Sequence, residues 1–96
     1  MEQYEIINIL SEYKKQNSKK YGIKSLGFFG STARGQNNEN SDIDVCIKIE
    51  EPNPFIMVHI KSDIEQLIKK HVDIIRIREK MNPFLKARIE KEAIYV

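Results

Sequence analysis

Tryptophan is missing from this 96-residue sequence, and cysteine occurs once, as Cys46. A lone thiol excludes an internal disulfide and every cysteine-rich zinc pattern, and it suits a reducing compartment. No stretch approaches the ~18 consecutive apolar residues of a membrane span, and Met1-Glu2-Gln3-Tyr4-Glu5 carries neither the basic nor the apolar block of an export signal. A cytoplasmic protein, neither exported nor embedded in a membrane, is expected. Charge of one sign is also lacking: 16 Lys and Arg stand against 14 Asp and Glu, a formal +2. That surplus does not argue for nucleic acid as a direct partner, and the pairs Lys14-Lys15, Lys19-Lys20 and Lys69-Lys70 read as solvated helix ends. With no repeat, linker or low-complexity segment, residues 1–96 are expected to form one domain. Hydrophobic residues at 41% and charged residues at 31% describe an ordered globular chain rather than a disordered one.

Apolar spacing supplies the elements. Ile6, Leu10 and Tyr13 recur at helical intervals, predicting an amphipathic helix over residues 2–20 that ends near Gly22. Strands follow at 23–29 and 43–49, separated by a turn and the polar loop at 36–40. Asn53-Pro54 is an N-cap with proline at the first helical position, and Met57, Ile60, Ile64, Leu67 and Ile68 form the stripe of a second helix ending near Lys70. Residues 72–77 are almost continuously apolar, as in a central strand. Asn82-Pro83 repeats the cap signal before a third helix carrying Phe84, Leu85 and Ile89, and 93–96 closes as a short strand. The fold class read from this is α/β (α+β): a small mixed sheet with flanking helices in the order αββαβα(β).

The chemistry lies in Gly30-Ser31-Thr32-Ala33-Arg34-Gly35 and in Ser41-Asp42-Ile43-Asp44. A strand opening into a glycine-started turn offers free backbone N–H groups and a hydroxyl to phosphate oxygens, which makes Gly30 and Ser31 candidates to hold a triphosphate. Residues two apart on a strand share a face, so Asp42 and Asp44 project together while Ile43, Val45, Ile47 and Ile49 project the other way; the strand has a core face and a catalytic edge. Cys46 alternates with the apolar residues, on the carboxylate side. Two carboxylates fixed side by side repel, and a hard divalent cation such as Mg2+ or Mn2+ relieves that repulsion. Asp-x-Asp by itself often marks a solvated turn or a helix cap; its conjunction with the preceding glycine turn in fixed order is what gives the pattern meaning. The spacing Gly30-x-x-x-x-Gly35 opens like a Walker A loop, but Gln36 and Asn37 follow where Lys and Ser or Thr are required, so a P-loop is excluded.

Asp73 is the polar interruption near the start of the third strand, and a buried-type strand rarely spends a position on an unpartnered carboxylate. It is the candidate third metal ligand. Arg34 is left with three open contacts: a phosphate, a partner, or a surface acid. His59 and His71 have no Cys or His companions at ligand spacing and are read as surface or packing residues. The basic run Arg76, Arg78, Lys80 is read as solvated.

Gly30-Ser31-x-Ala33-Arg34-Gly35, then Ser41-Asp42-x-Asp44, then a lone Asp73 on a later strand resembles the minimal nucleotidyltransferases, the MNT branch of the DNA polymerase β-like superfamily, over essentially the whole chain. The resemblance implies the polymerase β-like nucleotidyltransferase fold, Mg2+ or Mn2+ as cofactor, and ATP as substrate. It implies Asp42, Asp44 and Asp73 as catalytic metal ligands, with Gly30, Ser31 and Arg34 on the nucleotide. It further implies the antitoxin side of a HEPN/MNT toxin–antitoxin system, transferring AMP from ATP to a tyrosine hydroxyl of a HEPN-domain ribonuclease toxin, as a homo- or hetero-oligomer. The alternatives are an antitoxin that binds nucleotide and acts by complex formation alone, or nucleotidyl transfer to a small molecule or RNA. Larger relatives that perform those transfers carry extra domains to hold the acceptor, and an RNA acceptor would call for a broader basic face with aromatic platforms.

Overall fold

The computed structural model describes residues 1–38 and 40–96. Helix α1 (Gln3–Tyr21) starts where the Glu2 amide donates to Glu5 Oε1 at 3.0 Å and stops at Gly22. Strands β1 (Ile23–Phe29) and β2 (Ile43–Ile49) pair antiparallel. Helix α2 (Pro54–Ile68) follows Asn53, whose Oδ1 accepts from the amides of Phe55 and Ile56. Strand β3 (Val72–Arg76) lies parallel to β2; helix α3 (Pro83–Glu92) is capped by Asn82 Oδ1, and β4 (Ile94–Tyr95) pairs antiparallel with β1. The sheet order is β3-β2-β1-β4, so the expected order and the mixed sheet are both observed.

The main core forms where α1 and α2 cover one sheet face. Ile6, Leu10 and Tyr13 meet Ile60, Ile64 and Ile68 above Leu26, Phe28, Ile43, Val45 and Ile47. The Tyr13 hydroxyl donates to Asp63 Oδ2 at 2.8 Å, linking the two helices at the core margin. A smaller core of Phe29, Cys46 and Ile89 lies on the opposite face under α3, with Ile75, Ile77 and Leu85 packed against it. Burial there pushes the Cys46 thiol up to about 11, so it stays protonated and inert at neutral pH. None of the described helices is long and apolar enough to cross a membrane.

Four expectations are corrected. The segment at 72–77 is not a central strand: β3 sits at the sheet edge, ends at Arg76, and is fully buried only at Val72. Its continuous apolar pattern arises because Ile74 faces the main core while Ile75 and Ile77 face the α3 core; two covered faces leave the lateral edge open, which composition does not report. The carboxylate side of β2 is a catalytic edge only at its start, because α3 covers the same side farther along and buries Cys46. Leu67 is 50% exposed at the flank of the α2 stripe, beside a shallow cavity shared with Ile9, Glu12 and Tyr13 of α1. Phe84 is 82% exposed: on α3 the inward stripe is Leu85, Ile89 and position 92, and Phe84 lies about 100° round from Leu85.

Gly27 faces β4 so closely that a Cβ there would stand 2.5 Å from the Ile94 carbonyl oxygen. Gly27→Ala should therefore cost about 1–3 kcal/mol through displacement of β4, read as a lower urea midpoint at unchanged m-value; an unaltered midpoint would contradict this packing.

Candidate active site

The turn after β1 is built as one tight helical turn. Arg34 N donates to the Gly30 carbonyl at 3.1 Å, and the turn closes with Gln36 N to Ser31 O at 2.8 Å and Gly35 N to Thr32 O at 3.1 Å. That pair of bonds is a Schellman closure, and it puts Gly35 at φ 72°, where glycine avoids the Cβ penalty. Gln3 Nε2, from the first turn of α1, donates to the carbonyls of Thr32 and Ala33 at 3.0 and 2.9 Å and so fixes the turn to the helix layer. Thr32 is buried, and its Oγ1 has no hydrogen-bond partner among the described residues.

Gly30 carries the closest approach. Its φ is 77°, and a Cβ there would collide with the Asp44 carboxylate. Any side chain at position 30 would push the turn away from the acid beside it, so the motif requires glycine for space as well as for conformation. Ser31, partly buried, begins the helical turn directly beyond.

Sheet register brings the acids together. Asp44 pairs with Phe29 on β1 and with Asp73 on β3, so two carboxylates occupy neighbouring positions on parallel strands. Asp42, exposed just ahead of β2, joins Asp73 and His71 in a group whose candidate ligand atoms all lie within 4.8 Å of one another. Asp44 stands beside that group, not within it. Its carboxyl is pushed above the usual carboxylate range, first by burial and then by the charge of Asp73, with Asp42 adding to the push and Arg88 and Arg34 opposing it. Hard oxygen donors whose mutual repulsion is only partly relieved fit a divalent cation, which Asp42, Asp44 and Asp73 would hold.

Several residues at this site escaped the sequence reading. His71 is not a mere packing residue: its Nε2 lies 3.3 Å from Asp73 Oδ1 and its Nδ1 3.1 Å from Glu65 Oε2, which also accepts from the Val72 amide at 2.9 Å. His71 and Asp73 repeat the two-residue parity of Asp42 and Asp44, the one signal that could have drawn attention to it. Arg88 and Lys61 line a cavity of about 320 Å3 together with Asp44, Asp73, Phe29 and Leu85. They come from two different helices, and nothing in local sequence ties them to the motif. A larger hollow of about 690 Å3, beside Gln3, Tyr4 and Asn37, is lined by none of the three aspartates, whereas Asp44 and Asp73 both line the smaller one.

Of the contacts open to Arg34, the structure shows the acid: Nη1 donates to Glu92 Oε1 at 2.9 Å. The other oxygen of Glu92 accepts from the Gly30 amide at 3.2 Å.

Residues 10–96 match the family model described as a nucleotidyltransferase domain. A provisionally assigned protein adenylyltransferase of Methanocaldococcus jannaschii is 37% identical over 93 residues, covering 96% of this chain and 95% of the relative. Among solved structures, a provisionally assigned minimal nucleotidyltransferase superposes with a TM-score of 0.80 at 27% identity, over 98% of this chain and 95% of that one. An MNT antitoxin complex with a tri-AMPylated HEPN toxin from Shewanella oneidensis superposes at 0.63 with 16% identity, over 97% of this chain and 66% of the other.

The raised Asp44 carboxyl has a stability consequence. An acid whose carboxyl is raised in the folded state favours folding while protonated, and that contribution is lost as pH climbs from the unfolded value through the raised one. With chelator present, Asp44→Asn should melt above the wild type at pH 7, by less than about 1 kcal/mol because the group is only partly buried and solvent screens it. The gap should close as pH falls toward about 4. A variant that melts lower at pH 7 would contradict this electrostatic account.

Proposed function

The chain belongs to the nucleotidyltransferase domain family, and from that premise we propose that it is a metal-dependent protein adenylyltransferase. In this reading it acts as an antitoxin, transferring AMP from ATP to a tyrosine hydroxyl of a HEPN-domain toxin. The observation that carries the reading is the convergence of Asp42, Asp44 and Asp73 at the end of the sheet where Gly30 lies against Asp44. The acceptor class draws support from the M. jannaschii relative, named for protein adenylylation, and from the fold shared with an MNT antitoxin bound to an AMPylated HEPN toxin.

The residues divide the work as follows. Asp42, Asp44 and Asp73 would hold Mg2+ or Mn2+, which supplies Lewis-acid stabilisation of charge developing on phosphate oxygens. Gly30 and Ser31 orient the phosphates that leave. The acceptor oxygen forms a bond to the α-phosphorus, the bond from that phosphorus to the bridging oxygen breaks, and pyrophosphate departs with the electron pair. Asp73, half-exposed at the sheet edge, accepts the hydroxyl proton. Arg88 and Lys61 place positive charge along the cavity that the phosphates would enter. Asp42 and Asp73 reach the surface, so an acceptor carried on a folded protein can approach them. ATP as donor and the inert thiol of Cys46 both suit the cytoplasm.

With α-labelled ATP and Mg2+, label should enter a HEPN-domain protein supplied as acceptor. Asp42→Asn or Asp44→Asn should each reduce incorporation by about a thousandfold, equivalent to losing about 4 kcal/mol of transition-state stabilisation, while leaving the circular dichroism spectrum unchanged. Undiminished labelling by both variants would overturn the assignment of these carboxylates. Tight complex formation with no label from the wild type would favour inhibition by binding alone.

A further inference from the structure

Glu92 is a carboxylate on the inward stripe of α3. It lies seven residues after Leu85 and three after Ile89, so the helix phase that buries Ile89 also turns Glu92 toward the sheet. Its side chain is only 17% exposed. One oxygen takes the Gly30 amide at 3.2 Å, the other takes Arg34 Nη1 at 2.9 Å, and Arg88 Nη2 lies 4.0 Å from the first. A backbone N–H at a glycine turn flanked by two guanidinium groups is the donor set that recognises a phosphate, and here a single carboxylate fills it.

We propose that Glu92 is a built-in stand-in for a phosphate group, which the triphosphate of the incoming nucleotide displaces. The inference rests on the nucleotidyltransferase reading of the site and adds to it the residue that sets nucleotide affinity. The Gly30 amide has one hydrogen to donate, so a phosphate oxygen and Glu92 Oε2 compete for it. Two anions crowded onto the same guanidinium would repel, so nucleotide entry requires Glu92 to swing out. Until then Glu92 satisfies the Gly30 donor and offsets Arg34 and Arg88, which keeps the turn ordered before substrate arrives. Displacing an ion-paired, partly buried carboxylate lowers the net affinity for triphosphate, because part of each new contact only replaces an old one.

Calorimetric titration of the whole chain with ATP in Mg2+ tests this directly, with inorganic tripolyphosphate and adenosine as companion probes. Glu92→Gln removes the charge but keeps an acceptor for Gly30; Glu92→Ala removes both. Each should bind ATP and tripolyphosphate about tenfold more tightly than the wild type, with adenosine binding unchanged. Glu92→Asp keeps the charge on a side chain too short to hold Gly30 and Arg34 together, and it should also bind tripolyphosphate several-fold more tightly. Unchanged or weaker tripolyphosphate binding by Glu92→Gln would overturn the stand-in role and leave Glu92 as a brace for the turn. Tightening by Gln with none by Asp would overturn displacement in favour of plain charge repulsion. If neither wild type nor any variant binds ATP, the nucleotide site itself falls and the inference falls with it.

Discussion

The register of β2 between its two neighbours is the constraint on which everything at the active end depends. Asp44 stands opposite Phe29 on one side and Asp73 on the other. A slip of one residue would send Asp44 into the main core and turn Val45 toward the site, because side chains alternate strictly along a strand. The buried run of Ile43, Val45 and Ile47 opposes that slip, since it would take all three out of the main core that they fill. Hydrophobic burial on one face of β2 thus fixes the position of charge on the other. The same register sets Gly30 against Asp44, for Gly30 is the residue directly after Phe29.

That geometry works against stability locally. Asp44 is partly desolvated beside Asp73, and two positive side chains, Arg88 and Arg34, only partly relieve it. The opposing forces come from well away from the site: the α1–sheet–α2 core holds β1 and β2, and the small α3 core holds Phe29 and Cys46 from the other side. A site kept in electrostatic tension by a rigid frame is ready for cations to enter, since their binding removes a repulsion the fold already carries. Glu92 performs the corresponding service for the positive groups. Acids whose repulsion is only partly relieved and bases held by a built-in carboxylate thus meet at one end of the sheet, around Gly30.

Much of this was legible in the sequence. The helix caps Asn53-Pro54 and Asn82-Pro83 marked the starts of α2 and α3 directly, because capping is a local event between neighbouring residues. The strand limits of β1 and β2 followed from apolar runs bounded by turn residues. The position of β3 in the sheet did not, since burial of both faces and possession of two lateral neighbours produce the same apolar pattern. At the site, sheet register sets Asp44 beside Asp73, and Asp42 lies close to Asp73, while the strand parity of Asp42 and Asp44 was the part visible in the spacing. Lys61, Arg88 and Glu92 became visible only once the packing of α2 and α3 was known, because a charged residue on a helix reads the same whether it faces water or a cavity beside the acids. Even for Glu92 a faint trace existed: extending the phase of Leu85 and Ile89 by one more step lands on it.

The central claim is that Asp42, Asp44 and Asp73 form one divalent-cation site. Titration of Mn2+ into the protein, followed by loss of the free-ion signal in electron paramagnetic resonance, addresses it without reference to any acceptor or partner. The account predicts saturable Mn2+ binding by the wild type that is competed by Mg2+ and abolished in an Asp42→Asn, Asp44→Asn double variant of unchanged fold. Binding of equal strength in that double variant, or none in the wild type with ATP present, would contradict it.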